Sequence, residues 1–271
     1  MKSMILGLLA ETPVHSGAGR SEGFIDLPVA REAVTNYPVI AASSIKGSLK
    51  DLAKDKDIFG DEYRAGDFLI SDARLLLLPV RSLTSQYKWA TCPHIIERLG
   101  RDLKLCGLTP KFDNLPLTIE KGGVLGTGSG KLFLEEREFN LDGKVPKELR
   151  EEIGNLIVHQ QTRARLEDQL IVMHNDDFQW FASYGLPVNA RNKLDSNKKS
   201  ENLWYEESLA PDTLLYSMLF ERKENALDDI KGMFNNSNNS RPYLQLGGNE
   251  TVGMGWFAVS ILGGVDGPKQ P

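Results

Sequence analysis

The sequence predicts an α+β fold, and two observations carry that reading. Apolar runs of strand length alternate along the chain with segments of helical periodicity. No G-x-G-x-x-G fingerprint opens a βαβ unit, so a dinucleotide-binding sheet is not indicated.

Met4 to Ala10 is a continuous apolar run ending at Glu11 and predicts a first strand. Ser44 to Ala53 predicts a helix, with Ile45, Leu49 and Leu52 at i, i+4, i+7 as its apolar stripe. Leucine-rich Asp67 to Val80 predicts one or two strands, and His94 to Lys104 a helix behind Pro93. Lys111 to Lys131, with glycines at 122, 123, 126, 128 and 130, is expected as a flexible insertion. Lys131 to Phe139 predicts a strand. Pro146 then stands at a helix start, with Leu149, Ile153, Leu156 and Ile157 on one face. Leu170 to Met173 and Thr213 to Phe220 predict strands, with a short helix from Asp176 to Phe181 after the first. Ala226 to Phe234 predicts a helix, and Tyr243 to Leu246 and Met254 to Leu262 the closing strands.

A chain of 271 residues, 41% hydrophobic, can bury a full core, as one elaborated domain or as a core with inserted subdomains. Cys92 and Cys106 have no metal-ligand spacing and are too few for a disulfide framework. The first apolar run is too short for a signal peptide or a membrane span, so a cytoplasmic protein with no membrane partner is expected. A net charge of −5 excludes a general nucleic-acid binder, and any such site must be local. Arg20, Arg31, Lys46 and Lys50 form one candidate patch; Arg191, Lys193, Lys198 and Lys199 form another. Gly126 to Lys131 is not a phosphate-binding P-loop, because Leu125 and Leu132 occupy its first glycine and hydroxyl positions.

Residues 12–50 are the most informative stretch. Gly17, Gly19 and Gly23 suit a loop that wraps a ligand backbone, and Pro28 and Pro38 hold the following chain extended, so that Asp26 projects from a stiff segment. Ser43, Ser44, Lys46 and Gly47 then open the helix. Unpaired N–H groups and the positive dipole end favour a phosphate there, with Lys46 and Lys50 along one edge. The alternative is an ordinary amphipathic helix with solvated lysines.

The runs IDLPVARE (residues 25–32) and YPVIAASSIKGSLK (37–50) resemble the IDLP-x-x-RE and YP-x-I-P-G-S-S-L-K-G signature of RAMP-superfamily backbone subunits of the Cmr complex, the type III-B CRISPR effector. The resemblance continues through Ser71 to Leu76, Trp89 to Pro93 and Leu246 to Gly253, in the family's order over nearly the whole chain. Three departures stand out. Ala41-Ala42 replace the usual Pro-Gly, Met254 stands where an arginine is common, and Ser16 follows His15 in place of an apolar residue.

The resemblance implies a modified ferredoxin-like (RRM-like) core as a single domain over 1–271, with an inserted lid region at about 82–130 and a protruding thumb β-hairpin at about 185–207. It implies a subunit that stacks head to tail with itself and other Cmr-complex subunits along a guide CRISPR RNA and cleaves complementary target RNA at regular intervals. Asp26 matches the family's catalytic aspartate and is the expected ligand of a divalent metal, Mg or Mn. His15 either assists as a proton carrier or is a hydrogen-bonded histidine at a strand end. Leu186, Val188, Arg191 and Lys193 fall on the thumb, which otherwise reads as a solvated hairpin. Gly247, Gly248, Asn249 and Thr251 fall on a glycine-rich loop that lies along the guide, and alone would read as a tight connection between strands. A non-catalytic architectural subunit, or the equivalent subunit of the sister Csm complex, remains the alternative.

Overall fold

Lys2–Ala10 (β1) reads as a near-continuous apolar run, and every residue of it except Lys2 is buried. A strand buried on both faces belongs inside a sheet covered on both sides. The computed structural model, which describes residues 1–53, 57–113, 115, 117–234 and 241–266, places β1 there. The chain continues through β2 (Val39–Ile40), α1 (Ala42–Leu52), β3 (Phe68–Ile70) and β4 (Ala73–Arg81). A long middle section holds β5 (Tyr87–Thr91), α2 (Pro93–Leu105), β6 (Gly123–Leu125), β7 (Gly130–Leu134), β8 (Arg137–Gly143), α3 (Lys147–Gly154), α4 (Gln160–Gln169), β9 (Leu170–Met173), α5 (Asn175–Tyr184), β10 (Val188–Leu194) and β11 (Ser200–Glu207). It returns through β12 (Leu214–Glu221), α6 (Ala226–Phe234), β13 (Tyr243–Gln245) and β14 (Trp256–Asp266).

The result is a mixed α/β fold on one large mixed sheet, ordered β13-β14-β1-β12-β4-β5-β9-β6-β8-β7, with β2 and β3 attached beside β4 and β12. Neighbours among β14, β1, β12 and β4 are antiparallel, with α1 between β1 and β4 in sequence and α6 between β12 and β14. Beyond β4 the sheet becomes mixed, since β5 pairs parallel with β9 and β6 parallel with β8. β10 and β11 form a separate two-stranded hairpin. Among the described residues, no helix is long and apolar enough to cross a membrane.

The signature blocks shared with the family are largely core. Trp89, Ala90, Thr91 and Cys92 are fully buried, Trp89 Nε1 donates to Asp212 O at 2.8 Å, and Pro93 begins α2, where its missing N–H costs nothing. Arg74 donates to both oxygens of Asp102, at 2.8 and 2.6 Å, and Tyr216 Oη donates to the same carboxylate at 2.7 Å.

Several expectations change. Asp67 to Val80, expected as one or two strands, forms two, with a break at Ser71-Asp72 where Asp72 caps α1. Lys131 to Phe139 forms parts of β7 and β8 instead of one strand, since Glu135 has φ of 49° and reverses the chain. Lys111 to Lys131, expected as flexible, contains β6 and the start of β7, bonded into the sheet edge. Leu156 and Ile157 are buried as expected but follow α3. Helix α4 escaped the sequence reading because it is polar, with only Thr162 and Leu166 buried.

Gly7 marks a close backbone approach at mid-strand. A Cβ there would lie 2.2 Å from Leu156 O and 2.4 Å from Ser260 Oγ. Gly7→Ala should therefore destabilise the fold by about 1–3 kcal/mol in urea denaturation. Gly232→Ala on α6, where a Cβ meets nothing within 4 Å, should instead leave stability unchanged or slightly raised.

Candidate nucleic-acid interface

Asp26 is fixed by the root of the β10–β11 hairpin. Its Oδ2 accepts the Tyr205 N–H at 2.8 Å, and its carbonyl accepts from Ser21 N at 2.9 Å. On either side of Glu206, Leu27 N donates to Tyr205 O at 3.1 Å and Glu207 N donates to Leu27 O at 3.0 Å. The Asp26 segment is thus stitched onto β11, and Asp26 cannot move independently of the hairpin. No donor among the described residues reaches Oδ1. Asp26, Arg20, Ser21, Leu27, Asn202, Leu203 and Trp204 line a groove of about 310 Å³ in which Asp26 is the only carboxylate. Arg20 is exposed and has no partner among the described residues, and Trp204 Nε1 is a buried donor with no acceptor.

Glu206 and Glu207, each 3% exposed, secure the surrounding parts. Glu207 accepts Val29 N at 3.0 Å and Arg31 Nη2 at 2.7 Å. Arg31 also donates to Asn36 O and Ala182 O, so this residue, expected on an RNA-facing patch, is turned inward. The next signature residue, Glu32, holds Arg98 through both oxygens at 2.7 and 2.8 Å. Glu206 points the other way and accepts Asn249 Nδ2 at 2.8 Å and Arg191 Nη2 at 3.3 Å.

The glycine-rich loop is built against His15. His15 O accepts Gly248 N at 2.9 Å, and its Nδ1 donates to Glu207 O at 2.8 Å, since a carbonyl can only accept. At 8% exposure and outside the lining of the Asp26 groove, His15 has the contacts expected of a hydrogen-bonded histidine at a strand end, and it supports the loop. Gly247 has φ of 93°, and a Cβ there would lie 2.6 Å from His15 O, so only glycine fits. Gly248, Asn249 and Thr251 are left on the exposed rim. Met254 is buried, with Arg191 Nη2 2.9 Å from its sulfur.

Helix α1 starts at Ala42, two residues before the predicted Ser44. Ala41 is the N-cap with no side-chain bond, and Asp72 Oδ1 accepts Ala42 N at 2.8 Å, so a carboxylate from a neighbouring segment performs the capping assigned to the serines. Ile45 and Leu49 are buried while Leu52 is 45% exposed. Lys46 Nζ lies 5.6 Å from the Phe68 ring centroid, and Lys50 Nζ 3.5 Å from Gly60 O, so both ammonium groups fold toward the 59–68 loop. The exposed ridge is Ser43 and Gly47, and a Cβ on Gly47 would meet nothing. A mid-helix glycine costs about 1 kcal/mol relative to alanine and here serves no packing need, which suits close approach of a ligand backbone.

The hairpin projects. Every residue of β10 except Arg191 is exposed, including Val188 at 46%. Lys193 pairs with exposed Glu201 at 2.8 Å, and Asp195 Oδ1 closes the tip by accepting Asn197 N and Lys199 N, each at 2.8 Å. Leu186, expected on the projecting thumb, is instead 6% exposed and belongs to the core at the hairpin's foot.

Comparison with known proteins is decisive for the family, because the RAMP superfamily model matches residues 8–258. The chain belongs to the RAMP superfamily. Among RAMP proteins it is 31% identical to the CRISPR system Cmr endoribonuclease Cmr4 of Pyrococcus furiosus, over 96% of both chains. It resembles the crystal structure of oligomeric Cmr4 from Pyrococcus furiosus with a TM-score of 0.74 and 26% identity, covering 98% of this chain and 100% of that one. It shares its fold, with a TM-score of 0.76 at 22% identity, with a chain in the type III-B Cmr-beta complex bound to cognate target RNA, covering 96% and 97% of the two.

Two outcomes follow for this RAMP chain. Glu207→Gln strands the inward-facing Arg31 without a counter-charge and should cost about 3 kcal/mol in urea denaturation, while Glu201→Gln, at the exposed pair with Lys193, should cost under about 1 kcal/mol. Gly47→Ala should raise the melting temperature by relieving the mid-helix glycine, as followed by thermal denaturation.

Proposed function

We propose that this chain is the guide-RNA-binding backbone subunit of a type III-B CRISPR effector complex and that it cleaves complementary target RNA at regular intervals. One observation carries the reading. A lone carboxylate, Asp26, is pinned at the root of a projecting hairpin and faces a groove with an unpaired arginine, in a chain aligned over 96% of its length with a Cmr endoribonuclease.

The strand order β14-β1-β12-β4, with α1 and α6 as the two connecting helices, supports a ferredoxin-like core. The section between β4 and β12 is its insertion, with the lid at about 82–130 and the thumb at about 185–207. In the assembled effector, in the cytoplasm, copies stack head to tail along the guide CRISPR RNA together with other Cmr subunits. This heterologous contact repeats without closing, and the cleavage interval is the repeat of the stack. Guide pairing supplies sequence recognition, so the protein needs only backbone and shape contacts. Ser43 and Gly47 on α1 and the rim of the glycine-rich loop offer these to the guide. Val188 and Lys193 reach across the duplex from the thumb.

Cleavage follows from the groove. The 2′-hydroxyl of the target attacks the adjacent phosphorus and expels the 5′-oxygen, leaving a 2′,3′-cyclic phosphate and a 5′-hydroxyl that takes its proton from water; rate comes from holding the attacking and leaving oxygens in line. Asp26 Oδ1 orients and deprotonates that hydroxyl, while the Tyr205 N–H keeps Oδ2 occupied and the carboxylate plane fixed. Arg20 neutralises the phosphate. A divalent ion, Mg or Mn, would have one protein ligand, Asp26 Oδ1, which would then orient the hydroxyl instead of serving as its base; no cluster of three or more metal-binding side chains occurs among the described residues. Water and RNA phosphates would complete its shell, and the chemistry it supplies is stabilisation of charge on the phosphate.

Asp26→Asn keeps an acceptor for Tyr205 N–H and removes the base. In the reconstituted complex it should slow cleavage by about a hundredfold or more, with unchanged guide and target gel shifts. Unchanged cleavage would move the nuclease to another subunit and leave this chain architectural.

A further inference from the structure

On the helical layer formed by α3 and α4, outside the Asp26 groove, lies a cleft of about 660 Å³. Lys111, Lys147, Arg150 and Arg163 reach its walls from three segments, against only two carboxylates, Glu151 and Glu167. An excess of two positive charges in one concavity contrasts with a chain whose net charge is −5.

The pairing inside the cleft is incomplete. Arg150 Nη1 meets Glu167 at 3.0 Å, and Lys147 meets Glu151 at 3.6 Å, but Glu167 is 70% exposed and Glu151 49%. Arg150 Nε is buried with no acceptor. Lys111 and Arg163 have no carboxylate partner among the described residues. Glu152 Oε2 accepts the backbone N–H of Lys111 at 3.3 Å, which fixes the chain at that wall, and Arg163 Nε donates to Ile157 O, which orients its guanidinium. The floor is Gly154, Ala164 and Leu166, too small and too sparse to reward an apolar side chain.

We propose that this cleft is a phosphate-binding site separate from the guide and cleavage surfaces. Several convergent cations with spare donors, around a shallow small-residue floor, match a group that offers three or four acceptor oxygens and at least one negative charge. The phosphate belongs to an RNA backbone or to a small phosphate ligand, and the site stands whether or not Asp26 cuts RNA.

The test uses the full chain and Lys111→Gln/Lys147→Gln, two exposed positions whose replacement leaves the core untouched. A short labelled single-stranded RNA is titrated across a range of salt concentrations, and melting is followed with and without millimolar pyrophosphate. If an RNA backbone occupies the cleft, the slope of log affinity against log salt falls by about 1.4 in the variant, from two lost contacts at about 0.7 each. If a small phosphate ligand occupies it, the slope is unchanged and pyrophosphate raises the melting temperature of the native chain but not of the variant. Identical slopes and identical pyrophosphate responses would overturn the proposal. Cleavage by the reconstituted complex serves as the separate readout for Asp26.

Discussion

Two adjacent carboxylates, Glu206 and Glu207, hold the working parts of this chain together. Successive strand side chains point to opposite faces, so the pair reaches in opposite directions from the end of β11. One carboxylate takes Asn249 of the glycine-rich loop and Arg191 of the hairpin; the other takes Arg31 and the Val29 N–H of the Asp26 segment. Both are almost fully desolvated, so neither tolerates the loss of its partners. The hairpin, the aspartate and the loop against His15 therefore keep one fixed geometry. A cleavage residue that must align with a phosphate within a fraction of an ångström benefits from that constraint.

The sequence disclosed positions better than roles. Asp26 and the hairpin were legible because an extended segment fixed by prolines and a polar stretch between two arms leave local marks. Arg31 was not, because its partner Glu207 lies 176 residues away and no local pattern announces an inward-turning arginine. The start of α1 differs from its local signal for the same reason: two serines signal a cap locally, but Asp72, 30 residues further along the chain, supplies it. The extension of the sheet beyond β9 was hidden by glycines, which read as flexibility but here adopt positive φ at strand junctions, as at Gly122, Gly128 and Gly130. Helix α4 was hidden by polarity, since a helix that buries two side chains has almost no periodic signal.

Electrostatics shapes the chain's relation to RNA. An acidic protein gains little from long-range attraction to a polyanion, so its affinity rests on local surfaces, close backbone approach and repetition along a filament. The cations that sequence alone marked as a patch are largely spoken for: Arg31 and Arg191 are paired to buried glutamates, and Lys46 and Lys50 fold over a neighbouring loop. What remains exposed is the serine–glycine ridge of α1, the loop rim, Arg20 and the lysines toward the hairpin tip, Lys193, Lys198 and Lys199. Away from the hairpin tip, such a surface favours shape and backbone contact over charge.

The central claim is that Asp26 acts directly on the target RNA. The most direct measurement is the structure of the assembled complex holding a target strand with a single 2′-deoxy or 2′-fluoro nucleotide at the cut position. The account predicts Asp26 Oδ1 within hydrogen-bond reach of the 2′ position, about 3 Å, or joined to it by one water. A 2′ position lying well outside that reach, with Asp26 still bonded to Tyr205 N–H, would contradict it.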